Sequence, residues 1–249
     1  MMTARRLTVA ACAAMFAAVA LWSPALAKKP AVSYYLSPAQ VDLSQLLEPP
    51  PPPASTAAID DAKTMATVMA DRTPADVADA AADAHRTVFT FANVLGSNFV
   101  AERLPLTVQL FARTSGDTEA LIDVAKAYFD RPRPEGARQT HGSYPSGHAA
   151  FASCTAILLA EMVPEMRKAI FRRAEIFADR RIVAGVHYPT DVEAGWIAGT
   201  IVAFALMREP RFETDFAAAR GEVRATLGLP VAATSDGVGA FGEVSTSQK

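Results

Sequence analysis

The first feature of this chain that is suited to binding or catalysis is a turn sequence followed by a histidine. His148 follows Pro145, Ser146 and Gly147 in the stretch YPSGHAA, where a turn meets a long apolar run. A helix that starts here leaves backbone N–H groups near residues 146–148 without partners and points its positive dipole end outward, which favours an anion. Taken alone, the pattern fits an ordinary capped helix start with an incidental histidine more often than a binding site.

A second histidine has a carboxylate within reach. His187 lies six residues after Arg181 and four before Asp191, and Pro189 opens a predicted helix, so that Asp191 falls in its first turn. A carboxylate on one ring nitrogen fixes the tautomer and leaves the other nitrogen as a nucleophile. The alternative is a His–Asp pair that only holds the helix entry, and the pair alone does not decide between the two.

A basic cluster precedes both histidines. Lys126, Arg131 and Arg133 occur in KAYFDRPRP, where the prolines stop the preceding helix and stiffen the chain. Guanidinium groups bind phosphate oxygens in bidentate fashion and lysine adds a point charge, although such a cluster at a helix end is commonly just solvated. The other histidines, His85 and His141, are predicted to have solvated or hydrogen-bonded structural roles.

Helices must position these residues, because the sequence favours an all-α fold, a compact helical bundle. The chain has 249 residues, of which 51% are hydrophobic, and long alanine- and leucine-rich segments alternate with short breaks. Helices are predicted near residues 57–70, 74–92, 99–114, 117–129, 146–161, 164–185, 191–208 and 210–226. Two apolar runs, 149–163 and 192–207, are shorter than the ~20 residues of a membrane span and contain Glu161 and Glu193, so buried core helices are expected there.

The chain is predicted to comprise four segments: a secretory signal peptide (1–27), an extended proline-rich segment (28–56), a helical domain (57–230) and a flexible tail (231–249). Arg5 and Arg6, an apolar run and the small-residue site before residue 28 are typical of a signal peptide, with cleavage after Ala27 and a periplasmic or secreted product. An uncleaved anchor helix is the weaker alternative, because the apolar run is short. Five consecutive prolines, 49–53, exclude helix and favour an extended strap on the domain surface.

Charge and cysteine content limit the range of possible partners and disulfides. Loss of residues 1–27 removes two arginines and no acids, which leaves 22 Lys+Arg against 26 Asp+Glu and a net charge of −4. Nothing in this balance suggests a nucleic-acid partner. Cys12 leaves with the signal peptide, so Cys154 has no partner for an intrachain disulfide and is predicted to be a small buried hydrophobe.

The three motifs occur together and in order. They read Lys126-x6-Arg133-Pro134, then Pro145-Ser146-Gly147-His148, then Arg181-x5-His187-x3-Asp191. This set resembles the three-part signature of the type 2 phosphatidic acid phosphatase (PAP2) superfamily, which includes vanadium-dependent haloperoxidases. Among its members, the chain most resembles bacterial class A nonspecific acid phosphatases, through its exported form, the segment YYLSPAQVDLSQLLEPPPPPAST and the sequence GSYPSGH. The likeness spans most of residues 33–226.

The resemblance implies a broad-specificity acid phosphatase that needs no metal and no cofactor, with phosphate transfer as a further activity open to it. The phosphate-binding residues would be Lys126, Arg133, Ser146, Gly147 and Arg181. His187 would attack phosphorus to form a phosphohistidine, while Asp191 stabilises the charge on its ring. His148 would protonate the leaving oxygen and later activate water. The expected substrates are small phosphate monoesters, such as organic phosphates and nucleotides; we also expect a homo-oligomer, no nucleic-acid partner and no stable membrane insertion.

Two departures from the family pattern and three alternatives accompany this interpretation. Arg180 occupies a position where the family usually has serine, and only ten residues separate Pro134 from Pro145. The alternatives are a vanadate-dependent haloperoxidase, a lipid phosphatase and a non-enzymatic phosphate-binding protein. Because His148 must begin charged and His187 neutral, the phosphatase interpretation predicts a bell-shaped pH profile with an acidic optimum.

Overall fold

Helices make up all the regular secondary structure in residues 33–138 and 141–230, the part of the chain that the computed structural model describes. The all-α prediction is therefore confirmed. The predicted signal peptide (1–27), the first residues of the proline-rich segment (28–32) and the predicted tail (231–249) lie outside the described residues, and what was predicted for them stays a prediction.

The helices follow one another with short connections. The α-helices are α1 (Leu43–Leu46), α2 (Thr56–Asp71), α3 (Pro74–Ala82), α4 (Ala92–Leu95), α5 (Pro105–Phe129), α6 (Gly147–Met162), α7 (Arg167–Val183), α8 (Pro189–Leu206) and α9 (Pro210–Thr226). Short 3-10 helices span Val88–Phe91, Ala101–Arg103 and Pro164–Met166.

Helix α6 is the centre of the core. Nearly all of its residues are buried, because α5, α7 and α8 pack around it. A helix that is apolar on every side is stable in water only when it is surrounded in this way. The YPSGH motif forms its N-terminus, where the Ser146 hydroxyl accepts a hydrogen bond from the Ala149 N–H at 3.4 Å. The motif is thus fixed to the most rigid element of the fold.

Two glycines let α8 approach the backbone of α6. A Cβ on Gly195 would lie 2.9 Å from Ala149 Cβ and still closer to the Ser146 carbonyl oxygen. A Cβ on Gly199 would lie 2.8 Å from the Ala150 carbonyl carbon. Both distances are too short for real Cβ contacts, so only glycine allows this separation between the helices.

Helix α5 is continuous, whereas two helices were predicted over 99–114 and 117–129. The predicted break between these helices, at Gly116-Asp117, was wrong because Asp117 does not mark a helix boundary. Its buried carboxylate accepts hydrogen bonds from the backbone N–H groups of Tyr35 at 2.8 Å and Leu36 at 3.1 Å. A carboxylate that suggested a turn is instead the anchor of the N-terminal segment, a long-range contact that local patterns do not reveal.

The predicted helix 74–92 was also too long. Helix α3 ends at Ala82. The next residue, Asp83, is buried, and Arg173 and Arg180 bind its carboxylate. Residues 84–87 form an irregular connection before the 3-10 turn at Val88–Phe91. Residues 99–104 likewise hold a 3-10 turn in place of the predicted start of a helix.

The proline-rich segment is part of the core in addition to covering it. Residues 49–52 are non-helical, as the prolines predict, but Leu43–Leu46 forms the short helix α1, capped by Asp42. Tyr35 and Leu43 are each only 1% exposed within the main hydrophobic cluster. The described part of this segment therefore stabilises the helical domain through buried side chains.

Among the described residues, no helix is by itself long and apolar enough to cross a bilayer. Helices α8 and α9, which meet at a 97° bend, have the length and composition to do so only as a pair. Cys154 is buried in α6 as predicted, and burial raises the pKa of its thiol to about 12.

The close approach of α6 and α8 gives a first testable prediction. Gly199→Ala should lower the free energy of unfolding by about 1–3 kcal/mol, because the added methyl group overlaps α6 backbone that cannot move. Gly221→Ala is the matched control: that glycine lies inside α9 with nothing within 4 Å of its Cβ position, so the substitution should stabilise the protein by about 0.4–1 kcal/mol. Urea unfolding of both variants measures the difference, and equal effects would contradict the packing argument.

Candidate active site

The residues predicted from the three motifs lie at helix ends that meet in one region. Lys126 is in the last turn of α5, Gly147 begins α6, Arg181 is in the last turn of α7 and Asp191 is in the first turn of α8. The Ser146 N–H donates to the Asp191 carbonyl at 2.8 Å, which joins the starts of α6 and α8 directly. Helix ends carry unpaired backbone groups and partial charges, so their convergence forms a polar site beside an apolar core.

Two cations of the first motif are directed into this region by backbone carbonyls. Lys126, only 5% exposed, donates from Nζ to the carbonyls of Gly142 at 2.7 Å and Ser143 at 3.0 Å. Arg133 donates from Nη1 to the Val186 carbonyl at 2.7 Å. These backbone carbonyls help to orient both cations.

Arg181 supplies a third cation, which is buried like Lys126. Its Nη2 donates to the Ala80 carbonyl, and its Nε is buried without a hydrogen-bond partner. Burial lowers the pKa of this guanidinium from its ordinary value. A buried donor without a partner is costly, and an oxyanion in this region would satisfy it.

The start of α6 offers N–H donors, though not all those expected. The Ser146 N–H was expected to be unbonded, but the Asp191 carbonyl occupies it. Within the described residues, the N–H groups of Gly147 and His148 have no hydrogen-bond partner, as expected for the first positions of a helix. The unbonded N–H groups at this helix start are therefore those of Gly147 and His148, with the Ser146 hydroxyl beside them.

His187 lies between Arg133 and Asp191. Its Nε2 is 3.5 Å from Arg133 Nη1. Its Nδ1 is 3.5 Å from Asp191 Oδ2, a close contact that is not a hydrogen bond, and within the described residues this buried nitrogen has no hydrogen-bond partner. The ring is 3% exposed, and burial lowers the pKa of His187 to about 4 even though Asp191 opposes the shift. The ring is therefore neutral at neutral pH, with Nε2 on the side of the cations.

Asp191 is held by an arginine that sequence reasoning did not assign to the site. Arg131 donates from Nη1 to Asp191 Oδ1 at 2.7 Å and from Nη2 to Asp61 Oδ2 at 2.8 Å. Burial would raise the pKa of Asp191, but the contacts with His187 and Arg131 outweigh it, and the pKa is lowered. Arg131 was visible in the basic cluster, whereas Asp61 of α2 carries no local signal of its role.

His148 differs from expectation in its protonation. Its Nε2 lies 3.0 Å from the Ala84 carbonyl, and its ring stacks on Phe177 with 5.9 Å between centroids. Burial, together with nearby Arg181 and Arg86, lowers the pKa of His148 to about 3. The ring was expected to begin charged; without an anion it is neutral. A bound dianion raises a neighbouring histidine pKa, because opposite charge favours the protonated form.

The two departures from the family pattern have structural consequences. Arg180, which replaces the usual serine, binds Asp83 at 2.6 Å and Asp79 at 2.5 Å, so it fastens the end of α3 and the residue after it to α7. In the short connection between Pro134 and Pro145, His141 lies beside Arg133, with Nδ1 3.1 Å from Nη2. Residues 139 and 140 of that connection lie outside the described part.

Across residues 33–138 and 141–230, no three or more His, Cys, Asp or Glu side chains are grouped so as to hold a metal ion. Metal independence stays a prediction, which rests on the cations that surround the site.

Comparison with known proteins agrees with the motifs. The model of the PAP2 superfamily matches residues 106–214, which contain all three motifs, and this confirms the PAP2 superfamily domain that the motifs predicted there. A non-specific acid phosphatase of Salmonella typhimurium is 36% identical over 93 residues, 37% of each chain. An acid phosphatase of Zymomonas mobilis is 33% identical over 147 residues, 53% of this chain and 55% of that one. An undecaprenyl-diphosphatase of Sulfolobus acidocaldarius is 35% identical over 82 residues, 32% of this chain and 37% of that one.

These likenesses are partial. The chain spans about a third to a half of the length of the curated relatives it matches. A solved structure, the transmembrane PAP2 type phosphatidylglycerolphosphate phosphatase of Bacillus subtilis, has a TM-score of 0.46 and 20% identity, covering 65% of this chain and 87% of that one. A likeness of that size carries no argument about function.

The lowered pKa values of His148 and His187 predict how stability depends on pH. Both pKa values are lowered from 6.5, to about 4 for His187 and about 3 for His148. Above pH 6.5 neither the folded nor the unfolded chain protonates them, so their burial has no pH-dependent cost. As the pH falls from 6.5 towards 4, only the unfolded chain takes up the protons, and the free energy of unfolding should fall by about 1.4 kcal/mol per pH unit for each histidine. Urea unfolding at a series of pH values measures the slope; in His187→Asn it should be about half as steep, and an unchanged slope would count against the assignment.

The ion pairs of Arg131 with Asp61 and Asp191 predict a second effect on stability. Arg131→Met leaves the carboxylates of Asp61 and Asp191 buried without their shared cation, and the free energy of unfolding should fall by about 3 kcal/mol. Arg167→Met is the control, because Arg167 and its partner Glu161 are both more than half exposed, and the change should be below about 1 kcal/mol. Urea unfolding at neutral pH distinguishes the two; similar losses in both variants would show that Arg131 does not hold Asp191.

Proposed function

Since residues 106–214 are a PAP2 superfamily domain, we propose that this protein is a metal-independent acid phosphatase that hydrolyses small phosphate monoesters of varied structure through a phosphohistidine. The observation that carries the proposal is the environment of His187. One ring nitrogen faces Asp191 and the other faces Arg133, each at 3.5 Å. A nucleophilic imidazole needs this arrangement: a carboxylate behind it and an anion-binding cation in front.

The phosphoryl group binds among donors from four helix ends. The donors are Lys126, Arg133, Arg181, the Ser146 hydroxyl and the Gly147 N–H. Together they neutralise the equatorial oxygens, which is the main catalytic task in phosphoryl transfer. The same donors would hold a vanadate, which is why a haloperoxidase was an alternative; no observation on this chain favours it.

The reaction proceeds in two displacements. In the first, the lone pair of His187 Nε2 forms a bond to phosphorus while the ester P–O bond breaks, and His148 gives its proton to the departing oxygen. Asp191 stabilises the positive charge on the His187 ring. In the second, water attacks the phosphohistidine, His148 takes a proton from the water, the P–N bond breaks and inorganic phosphate leaves. A bound dianion raises the pKa of His148, so that substrate binding itself supplies the acid.

Location, assembly and substrate range belong to the same proposal. A periplasmic or secreted protein that forms a homo-oligomer and acts on organic phosphates and nucleotides fits the predicted signal peptide and the acid phosphatase relatives. Phosphate transfer to an alcohol in place of water uses the same phosphohistidine and is proposed as a side activity.

A second candidate is hydrolysis of a lipid-linked diphosphate. It is favoured by the likeness to a protein named undecaprenyl-diphosphatase, which is 35% identical over 82 residues. Comparison of a prenyl diphosphate in detergent with a soluble monoester decides between the two: faster turnover of the soluble ester supports the acid phosphatase.

The mechanism predicts different losses for the two histidines. His187→Ala should abolish hydrolysis of both an alkyl phosphate and nitrophenyl phosphate, because no nucleophile remains. His148→Ala should lower kcat for the alkyl ester by about 10²–10⁴-fold, but much less for the nitrophenyl ester, whose leaving group departs without a proton. Initial rates with and without a chelator measure this, with the exposed His85→Ala as the control.

Three results would contradict the proposal. They are retention of most of the turnover in His187→Ala, loss of turnover with the chelator, and failure of acid-labile phosphate to accumulate on the wild-type chain after rapid quenching. The first and third would remove the phosphohistidine, and the second would establish a metal requirement.

A further inference from the structure

Arg86 lies against the phosphate-binding end of α6, although none of the three motifs contains it. A Cβ on Gly147 would lie 3.7 Å from Arg86 Nη1, an ordinary van der Waals distance. The guanidinium therefore packs against the residue whose N–H is proposed to bind the phosphoryl group. Arg86 belongs to the covering segment, residues 83–87, which connects α3 to the 3-10 turn Val88–Phe91.

The covering segment lies on the side of His148. The Ala84 carbonyl is 3.0 Å from His148 Nε2, whereas Arg133 lies beside His187. In phosphoryl transfer the attacking and departing atoms are roughly in line through phosphorus. If His187 attacks from one side, a cation on the side of His148 faces the leaving group.

Arg86 is held in place but not enclosed. Its Nη2 is 3.0 Å from Glu119 Oε1 of α5, and both side chains are 24% exposed. The covering segment is itself anchored, because buried Asp83 binds Arg173 and Arg180 at 2.6 Å each. A partly exposed cation on a fixed segment is well placed to select a ligand.

We infer that Arg86 is a specificity-determining residue, which binds a second anionic group on the leaving group, a carboxylate or a phosphate close to the ester oxygen. The inference rests on the proposed phosphatase function. Guanidinium N–H groups bind either anion with paired, charge-assisted hydrogen bonds. A neutral alcohol leaving group offers no such partner, so the site prefers phosphate esters that carry a second negative charge.

A pocket beside Arg86 has space for the rest of such a leaving group. Its volume is about 240 Å³, and Arg86, Val108, Phe111, Ser115 and Phe151 are among its lining residues. Residues 108–115 lie two to four turns before Ile122, which contacts the Gly147 Cβ position. The pocket therefore extends from Arg86 away from the phosphate-binding end of α6, and its apolar lining suits the uncharged part of a leaving group.

Matched substrate pairs test the inference. Glycerol phosphate and phosphoglycerate differ by one carboxylate, and uridine monophosphate and uridine diphosphate differ by one phosphate. In Arg86→Gln, the ratio of kcat/KM for the doubly anionic ester to that for its partner should fall about tenfold, the size expected for one charge-assisted hydrogen bond. Arg86→Lys should restore part of the ratio, and Arg167→Gln, an exposed arginine far from the motifs in sequence, should leave it as in the wild type. Initial phosphate release measures each ratio, and thermal unfolding checks that the variants are folded.

Each outcome has a distinct meaning. A fall in both ratios, or in only the carboxylate or only the phosphate pair, supports the inference and identifies the anion. An equal loss on both members of a pair overturns it, because Arg86 would then bind the transferred phosphoryl group. An unchanged ratio with an active enzyme overturns it while the proposed function stands. If the wild type hydrolyses none of the four compounds, the proposed function fails as well.

Discussion

A fully buried carboxylate, that of Asp191, is the constraint on which the site depends. A carboxylate with 0% exposure is tolerated only when charged and polar partners replace the water that it has lost. Arg131 provides the charge, the Tyr188 N–H donates at 2.8 Å, and His187 faces the remaining side. The backbone carbonyl of the same residue accepts from Ser146. One residue thus ties the entry of α8 to the chain after α5 and to the start of α6.

The apolar core makes this arrangement rigid. Helix α6 is surrounded by α5, α7 and α8, and the glycines of α8 bring its backbone against that of α6 at positions where any side chain would collide. The residues of the candidate site lie at or next to helix ends beside this packed centre. Groups carried on close-packed helices hold their positions more precisely than groups on free loops, which is what in-line chemistry at phosphorus requires.

The charged groups of the site favour the binding of an anion. Lys126 and Arg133 are oriented by neutral carbonyls, and Arg181 keeps a buried donor without a partner. Burial and these cations hold both His148 and His187 neutral, with pKa values of about 3 and about 4. A phosphate dianion reverses the field at His148, so binding and protonation are coupled. On the proposed mechanism, substrate binding leads to protonation of His148, which then acts as the general acid. Arg86 adds a further cation on the side of His148.

Helix periodicity, proline and glycine positions, and motif spacing are local properties, so the all-α fold, the PAP2 resemblance and the three motifs could be predicted from the sequence alone. It did not give the continuity of α5 or the early end of α3, because Asp117 and Asp83 are bound by residues far away in the chain. Nor did it assign roles to Asp61, Arg131 and Arg86. Those roles arise only when α2, the segment after α5 and the covering segment are packed together. Only the tertiary structure shows these roles, because an ion pair between distant residues leaves no periodic or short-range signal in the sequence.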